Sequence, residues 1–235
     1  MREEVLDKGE TPLLLPLPLP LPREGGKGDR LLKNLSMSRA TLQLTLRKTR
    51  CYPLPESGLL AFGMKSDGIV LIGMAGVGKS TIGMAVARAL GFNFIDVDKY
   101  ILQKEGKTVQ EIIDDRGDEA LLQIEKRRMY EIDLSRMVAA PGGSIIYHPD
   151  LMDYLKQNAT LIYLEDSFAN IARKLTGEMN RGIVGLKSKP LKEIYEERKP
   201  LYTKYADIII NCEGKSQNQS VSEVLQRYSD LRKEN

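Results

Sequence analysis

The chain has 235 residues, 42% hydrophobic and 29% charged, and a formal net charge of +3, which is enough for one domain with a core of its own. All of that excess lies in the first 64 residues, where ten basic side chains face seven acidic ones, so the balanced remainder makes no electrostatic case for nucleic acid. Two cysteines, Cys51 and Cys212, exclude a disulfide framework and a paired metal-ligand spacing, pointing to a reducing, cytoplasmic setting; no run approaches the ~20 apolar residues of a membrane-spanning helix.

Residues 1–63 read as a low-complexity extension. Seven of the eleven prolines fall before residue 65, and LLLPLPLPLP alternates proline with leucine, which prevents helix and leaves extended or polyproline II chain. The basic stretch from Arg30 to Arg50 has no acidic residue. It fits an organelle-targeting segment, a basic arm for an anionic partner, or a preface translated upstream of the true start, since Met64 stands just ahead of the first strand.

From Met64 to the end the pattern is regular. GIVLIG is a short buried strand, and STIGMAVARALG has helical apolar spacing closed by Gly91. NFIDVD is a second strand, with helix from Lys99. Thr108 and Glu111 form a capping box opening VQEIIDDRG. Asp118–Leu134 is helical, MVAAPGG is a strand ending in a glycine turn, PDLMDYLKQN a helix, ATLIYLE a strand and SFANIARKL a helix. PLKEIYEERKPLYTKYA is helical with an interruption at Pro200, ADIIINC is the last strand, and SVSEVLQRYSDLRKE the last helix, opened by Ser220 and Glu223. Strands alternating with helices predict a parallel sheet covered on both faces, with ligands at the carboxyl ends of its strands.

Three stretches at those ends carry chemistry. Gly73, Gly78, Lys79 and Ser80 fit G-x-x-x-x-G-K-[ST] between a strand and a helix. Glycines let backbone N–H groups wrap phosphate oxygens, the lysine neutralises the outer phosphates, and the serine hydroxyl is a Mg²⁺ ligand. Asp96 and Asp98, two apart in a strand, would point to one side, Asp96 to the metal and Asp98 to a substrate, although Asp98 also suits a helix N-cap. Pro141–Gly142–Gly143 is the third. NRGIVGLKSKP, from Asn180, reads as a solvated loop on composition, the lone His148 as structural, and Tyr147 as core or site.

With GMAGVGKST, IDVDKYI, GKTVQEI, GDEALLQIE, PGGS and ERKPLY in this order, residues 64–235 resemble the shikimate kinase family. The resemblance implies a three-layer α/β/α kinase of the P-loop nucleoside monophosphate kinase type, with a five-stranded parallel sheet and a mobile lid. It implies transfer of the ATP γ-phosphate to a hydroxyl of shikimate, with Mg²⁺, by a protein acting as a monomer. Gly76, Val77, Gly78, Lys79, Ser80 and Thr81 would hold ATP and Mg²⁺, with Asp96 on the metal side. Asp98 would polarise the acceptor hydroxyl, Gly142 and Gly143 would approach the substrate, and Arg198 would bind its carboxylate. Arg181 would be the lid arginine and Arg173 would pack on adenine.

Two positions depart from the family pattern: Leu122 stands where a second carboxylate-binding arginine belongs, and Pro141 replaces the first of three glycines. A bidentate arginine–carboxylate contact is worth about 1.5–3 kcal/mol, so either Lys187, Lys189 or Arg181 compensates or the acceptor is a different hydroxylated carboxylate. A nucleotide-binding protein without catalysis is the third reading, against which Lys79, Ser80, Asp96 and Asp98 all speak.

Overall fold

The computed structural model describes residues 66–176 and 182–234; the expectations for residues 1–63 and for Arg181 lie outside them. Five strands, β1 (Ile69–Ile72), β2 (Asn93–Asp96), β3 (Met137–Ala140), β4 (Thr160–Glu165) and β5 (Ile208–Asn211), form one sheet in the order β2-β3-β1-β4-β5. Every pairing is parallel, with Ile69 opposite both Val138 and Thr160. Each connection therefore crosses over, as the alternation of elements predicts.

Both faces of β1 are covered, and its run IVLI is buried throughout. Val70 and Ile72 face a core built from α2 (Val97–Glu105), α3 (Val109–Arg116), α4 (Asp118–Tyr130), α5 (Pro149–Asn158), α6 (Phe168–Thr176) and α7 (Leu191–Tyr205). Ile69 and Leu71 face the other way, onto α1 (Lys79–Leu90) and α8 (Gln217–Glu234). Each large aliphatic side chain so buried contributes about 1.5–3 kcal/mol. The chain leaves β1 toward β2 and β3 on one side and β4 and β5 on the other, so a crevice opens at the carboxyl end of β1.

Local chemistry corrects four boundaries. β2 stops at Asp96, whose Oδ1 accepts from Lys99 N at 3.3 Å and caps α2. Val97 and Asp98 are therefore helical, and the two aspartates do not share a strand face. α4 ends at Tyr130 because Ile132 and Leu134 turn back into the core. α7 runs through Pro200 unbroken; the proline and Glu196, four residues earlier, are exposed, so water can satisfy the carbonyl that loses its donor. α8 starts at Gln217, capped by Ser216 and Gln219, which exchange bonds through Gln219 N to Ser216 Oγ and Ser216 N to Gln219 Oε1. Ser220 instead turns inward onto Ser216 O, and Glu223 pairs with Lys215. The capping box at Thr108 and Glu111 forms as expected.

Among the described residues no helix is long and apolar enough to cross a membrane.

Candidate active site

The glycine loop leaves β1 at Gly73, whose φ of +143° and a carbonyl (Leu164 O) only 2.6 Å from any added Cβ restrict the position to glycine. The loop delivers Lys79 to the first position of α1, so unpaired helix N–H groups and the positive end of the helix dipole face the crevice. The Lys79 ammonium donates to the carbonyls of Gly73 at 2.8 Å and Met74 at 3.0 Å.

A cavity of about 360 Å³ opens here, lined by Gly76, Val77, Gly78, Lys79, Ser80 and Thr81. Asp98, Pro141, Gly142 and Gly143 line it as well. Three stretches distant in sequence thus converge. Asp96 does not line it; its Oδ1 accepts the cap bond of α2. Arg173 lies exposed on α6, donating to Asn170 Oδ1 at 3.1 Å, while its neighbour Lys174 lines the cavity and pairs with Asp166 at 2.8 Å. Cys212, Lys215, Gln217 and Ser220 add the wall after β5; their place at the end of a strand was the one signal for them.

The turn after β3 is gripped from two sides. A Cβ on Gly142 would sit 2.2 Å from Glu125 Oε1 and 3.5 Å from Asp98 Oδ1; one on Gly143 would meet Tyr202 Oη at 2.9 Å and Arg198 Nη1 at 3.1 Å. Tyr202, stacked on Tyr163, donates to Gly143 O at 2.7 Å. The backbone approaches so closely that no side chain fits at either position.

Glu125 was given no role in sequence, although it closes the GDEALLQIE block. It is 2% exposed and accepts from Ser144 Oγ at 2.6 Å. Burial, with the Asp98 charge adding, pushes its carboxyl up to about 7 against the opposing effects of Ser144, Arg198 and Lys79. Leu122, one turn earlier, is half-buried and packs against the main core.

Arg198 is 1% exposed and does not line the cavity directly. Its Nε donates to Tyr147 Oη at 3.2 Å and its Nη2 to Val184 O at 2.8 Å, and its guanidinium stands 5.1 Å from the Tyr147 ring. Tyr147 is thus an orienting partner of Arg198. His148 is buried, with Nε2 unbonded among the described residues, and burial holds its pKa below the usual value. The sequence read His148 as structural, and it is not among the residues lining the cavity.

The expected solvated loop is instead pinned from Gly182 onward. Gly185 N donates to Asp118 Oδ2 at 2.8 Å, Ile183 and Val184 are buried, Lys187 pairs with Asp114 at 2.7 Å and Lys189 with Glu197 at 2.5 Å. Lys187 and Lys189 therefore stand in exposed surface pairs.

Comparison with known proteins agrees with this geometry. The family model for shikimate kinase matches residues 75–229. Shikimate kinase of Persephonella marina is 35% identical over 160 residues, which is 68% of this chain and 97% of that protein. That of Caldanaerobacter subterraneus subsp. tengcongensis is 33% identical over 167 residues, 70% of this chain and 97% of its own. The solved structure of shikimate kinase from Acinetobacter baumannii in complex with shikimate superposes with a TM-score of 0.65 at 26% identity, covering 71% of this chain and 94% of that one.

Proposed function

The chain belongs to the shikimate kinase family, and from that premise we propose that it transfers the γ-phosphate of ATP to a hydroxyl of shikimate or a closely similar hydroxylated carboxylate. The observation that carries the reading is the single cavity in which the phosphate loop, Asp98 and the Gly142–Gly143 turn meet.

Gly73 shapes the turn, and the N–H groups of Gly76, Val77, Gly78, Ser80 and Thr81 cradle the phosphates with Lys79. Asp98 orients the acceptor hydroxyl and takes its proton as the oxygen attacks the γ-phosphorus, the bond to the β-bridging oxygen breaks and ADP leaves. Ser80, which lines the cavity, and Asp96, whose cap bond uses Oδ1, suit Mg²⁺, an ion that takes few protein ligands. When bound, Mg²⁺ neutralises charge on the outer phosphates. Arg181 would serve as the lid arginine, and Arg173, exposed on α6 beside Lys174, would pack on adenine.

Gly142 and Gly143 let the acceptor approach backbone. Arg198 attracts its carboxylate: among the described residues its hydrogen bonds run to two neutral oxygens, and a buried guanidinium so placed favours an anion. With leucine at 122, the half-site offers one buried arginine where the family pattern has two.

The test offers the full-length protein Mg²⁺-ATP with shikimate and a panel of hydroxy acids and sugars, following ADP. Turnover with shikimate or another hydroxy acid is the expected result, and Asp98→Asn cuts it while leaving ATP binding intact. ATP binding without turnover on any acceptor overturns the proposal in favour of a nucleotide-binding role.

A further inference from the structure

Arg198 is the buried cation of the acceptor side, and much of its bonding capacity is already used inside the protein. A guanidinium grips a carboxylate side-on through Nε and Nη2, whose N–H bonds run parallel. Here Nε donates to Tyr147 Oη at 3.2 Å and Nη2 to the Val184 carbonyl at 2.8 Å, so both nitrogens of that edge are held by neutral protein oxygens. The third nitrogen, Nη1, is turned to the glycine turn: a Cβ on Gly143, which lines the cavity, would lie 3.1 Å from it.

Tyr147 is fixed on Nε from both ends. It closes the short 3-10 helix Gly143–Tyr147, which begins in the glycine turn itself, and its ring stands 5.1 Å from the guanidinium. A phenol has one proton to donate, and the Glu197 carboxylate accepts it; Glu197 in turn pairs with Lys189 at 2.5 Å. With that proton committed, the Tyr147 oxygen meets Arg198 as an acceptor.

Resting on the reading of this half-site as the acceptor pocket, we propose that Tyr147 is a positioning residue that sets acceptor specificity: by occupying Nε it confines Arg198 to a single contact, through Nη1, with the anionic group of the acceptor. Leucine at 122 supplies no second cation. The acceptor's carboxylate therefore counts for about one charge-assisted bond, and contacts to its hydroxyls, that of Asp98 among them, carry more of the selection. The substrate class that fits is a polyhydroxylated compound phosphorylated both as the acid and as its uncharged carboxamide. One charge-assisted bond in place of a neutral one is worth about tenfold, so the acid is preferred over the carboxamide by about that factor in kcat/KM.

The experiment offers the full-length protein, with Mg²⁺-ATP, shikimate or whichever hydroxy acid of the panel it turns over, and the carboxamide of the same acid. The wild type is expected to favour the acid by about tenfold. Tyr147→Phe keeps the ring beside the guanidinium and frees Nε, so the preference rises by about a further tenfold, through a lower KM for the acid and not for the carboxamide. A structural defect alone would raise both KM values together. An acid preference of a hundredfold or more in the wild type overturns the proposal, and this result does not depend on how the variant folds. A preference that is unchanged or reduced in Tyr147→Phe overturns it as well, and both results leave the kinase reading standing. Absence of turnover with every acceptor overturns the kinase reading and this proposal together.

Discussion

Glu125→Gln is expected to make the fold more stable at about pH 8 relative to wild type than it does at about pH 5. The wild-type carboxyl titrates near 7 in the folded chain, against an ordinary 4.5. The folded state therefore holds this proton more tightly than the unfolded state does. That contribution is fully present below about pH 4.5, shrinks as pH rises, and is gone above pH 7. A displacement of this size corresponds to about 3 kcal/mol, most of it lost between about pH 5 and pH 8. Glutamine removes the titration, is close in volume, and keeps an acceptor for the Ser144 hydroxyl. For a domain of this size each kcal/mol moves Tm by about 2–4 °C, so the difference in Tm between wild type and variant should change by about 5–10 °C across the interval. Thermal unfolding followed by far-ultraviolet circular dichroism at both pH values measures it. A difference in Tm that does not depend on pH would refute the reasoning, because Glu125 would then not change its charge in this window.

Leu122→Arg should lower the KM for shikimate about ten- to a hundredfold, the worth of one bidentate carboxylate contact, and leave the ATP KM unchanged; steady-state kinetics with each substrate varied decides it. Gly142→Ala should destabilise the fold by about 1–3 kcal/mol and raise the acceptor KM, since its Cβ is driven to 2.2 Å from Glu125 Oε1; wild-type behaviour in urea unfolding would show that the turn is looser than this contact implies. Tyr202→Phe should cost about 1–2 kcal/mol in the same assay by leaving the buried Gly143 carbonyl without its donor.

What the sequence determined by itself was the local part of the protein. Apolar runs of strand length, helical periodicity, the Thr108–Glu111 cap and the glycine loop are short-range signals, and the alternation of strand and helix implies parallel pairing through crossover sterics. Convergence at the carboxyl ends of the strands was likewise legible, since Asp98 and the Gly142–Gly143 turn do line the cavity of the phosphate loop. The tertiary structure alone decided the strand order and which polar groups became buried neighbours. Asp98 suited the helix N-cap in the string, but it is Asp96 Oδ1 that takes the cap bond on α2, and Asp98 lines the cavity. Lys187 and Lys189 read as spare cations until Asp114 and Glu197 came within reach. Glu125 closed the GDEALLQIE block in the string without an assigned role. Its meaning comes from Ser144, Gly142 and Arg198, which are 17 to 73 positions along the chain, and no periodicity within a helix reports which charges from elsewhere will be packed against it. A buried carboxylate's ionisation depends on the solvent it loses and on those charges, and only the assembled fold supplies either.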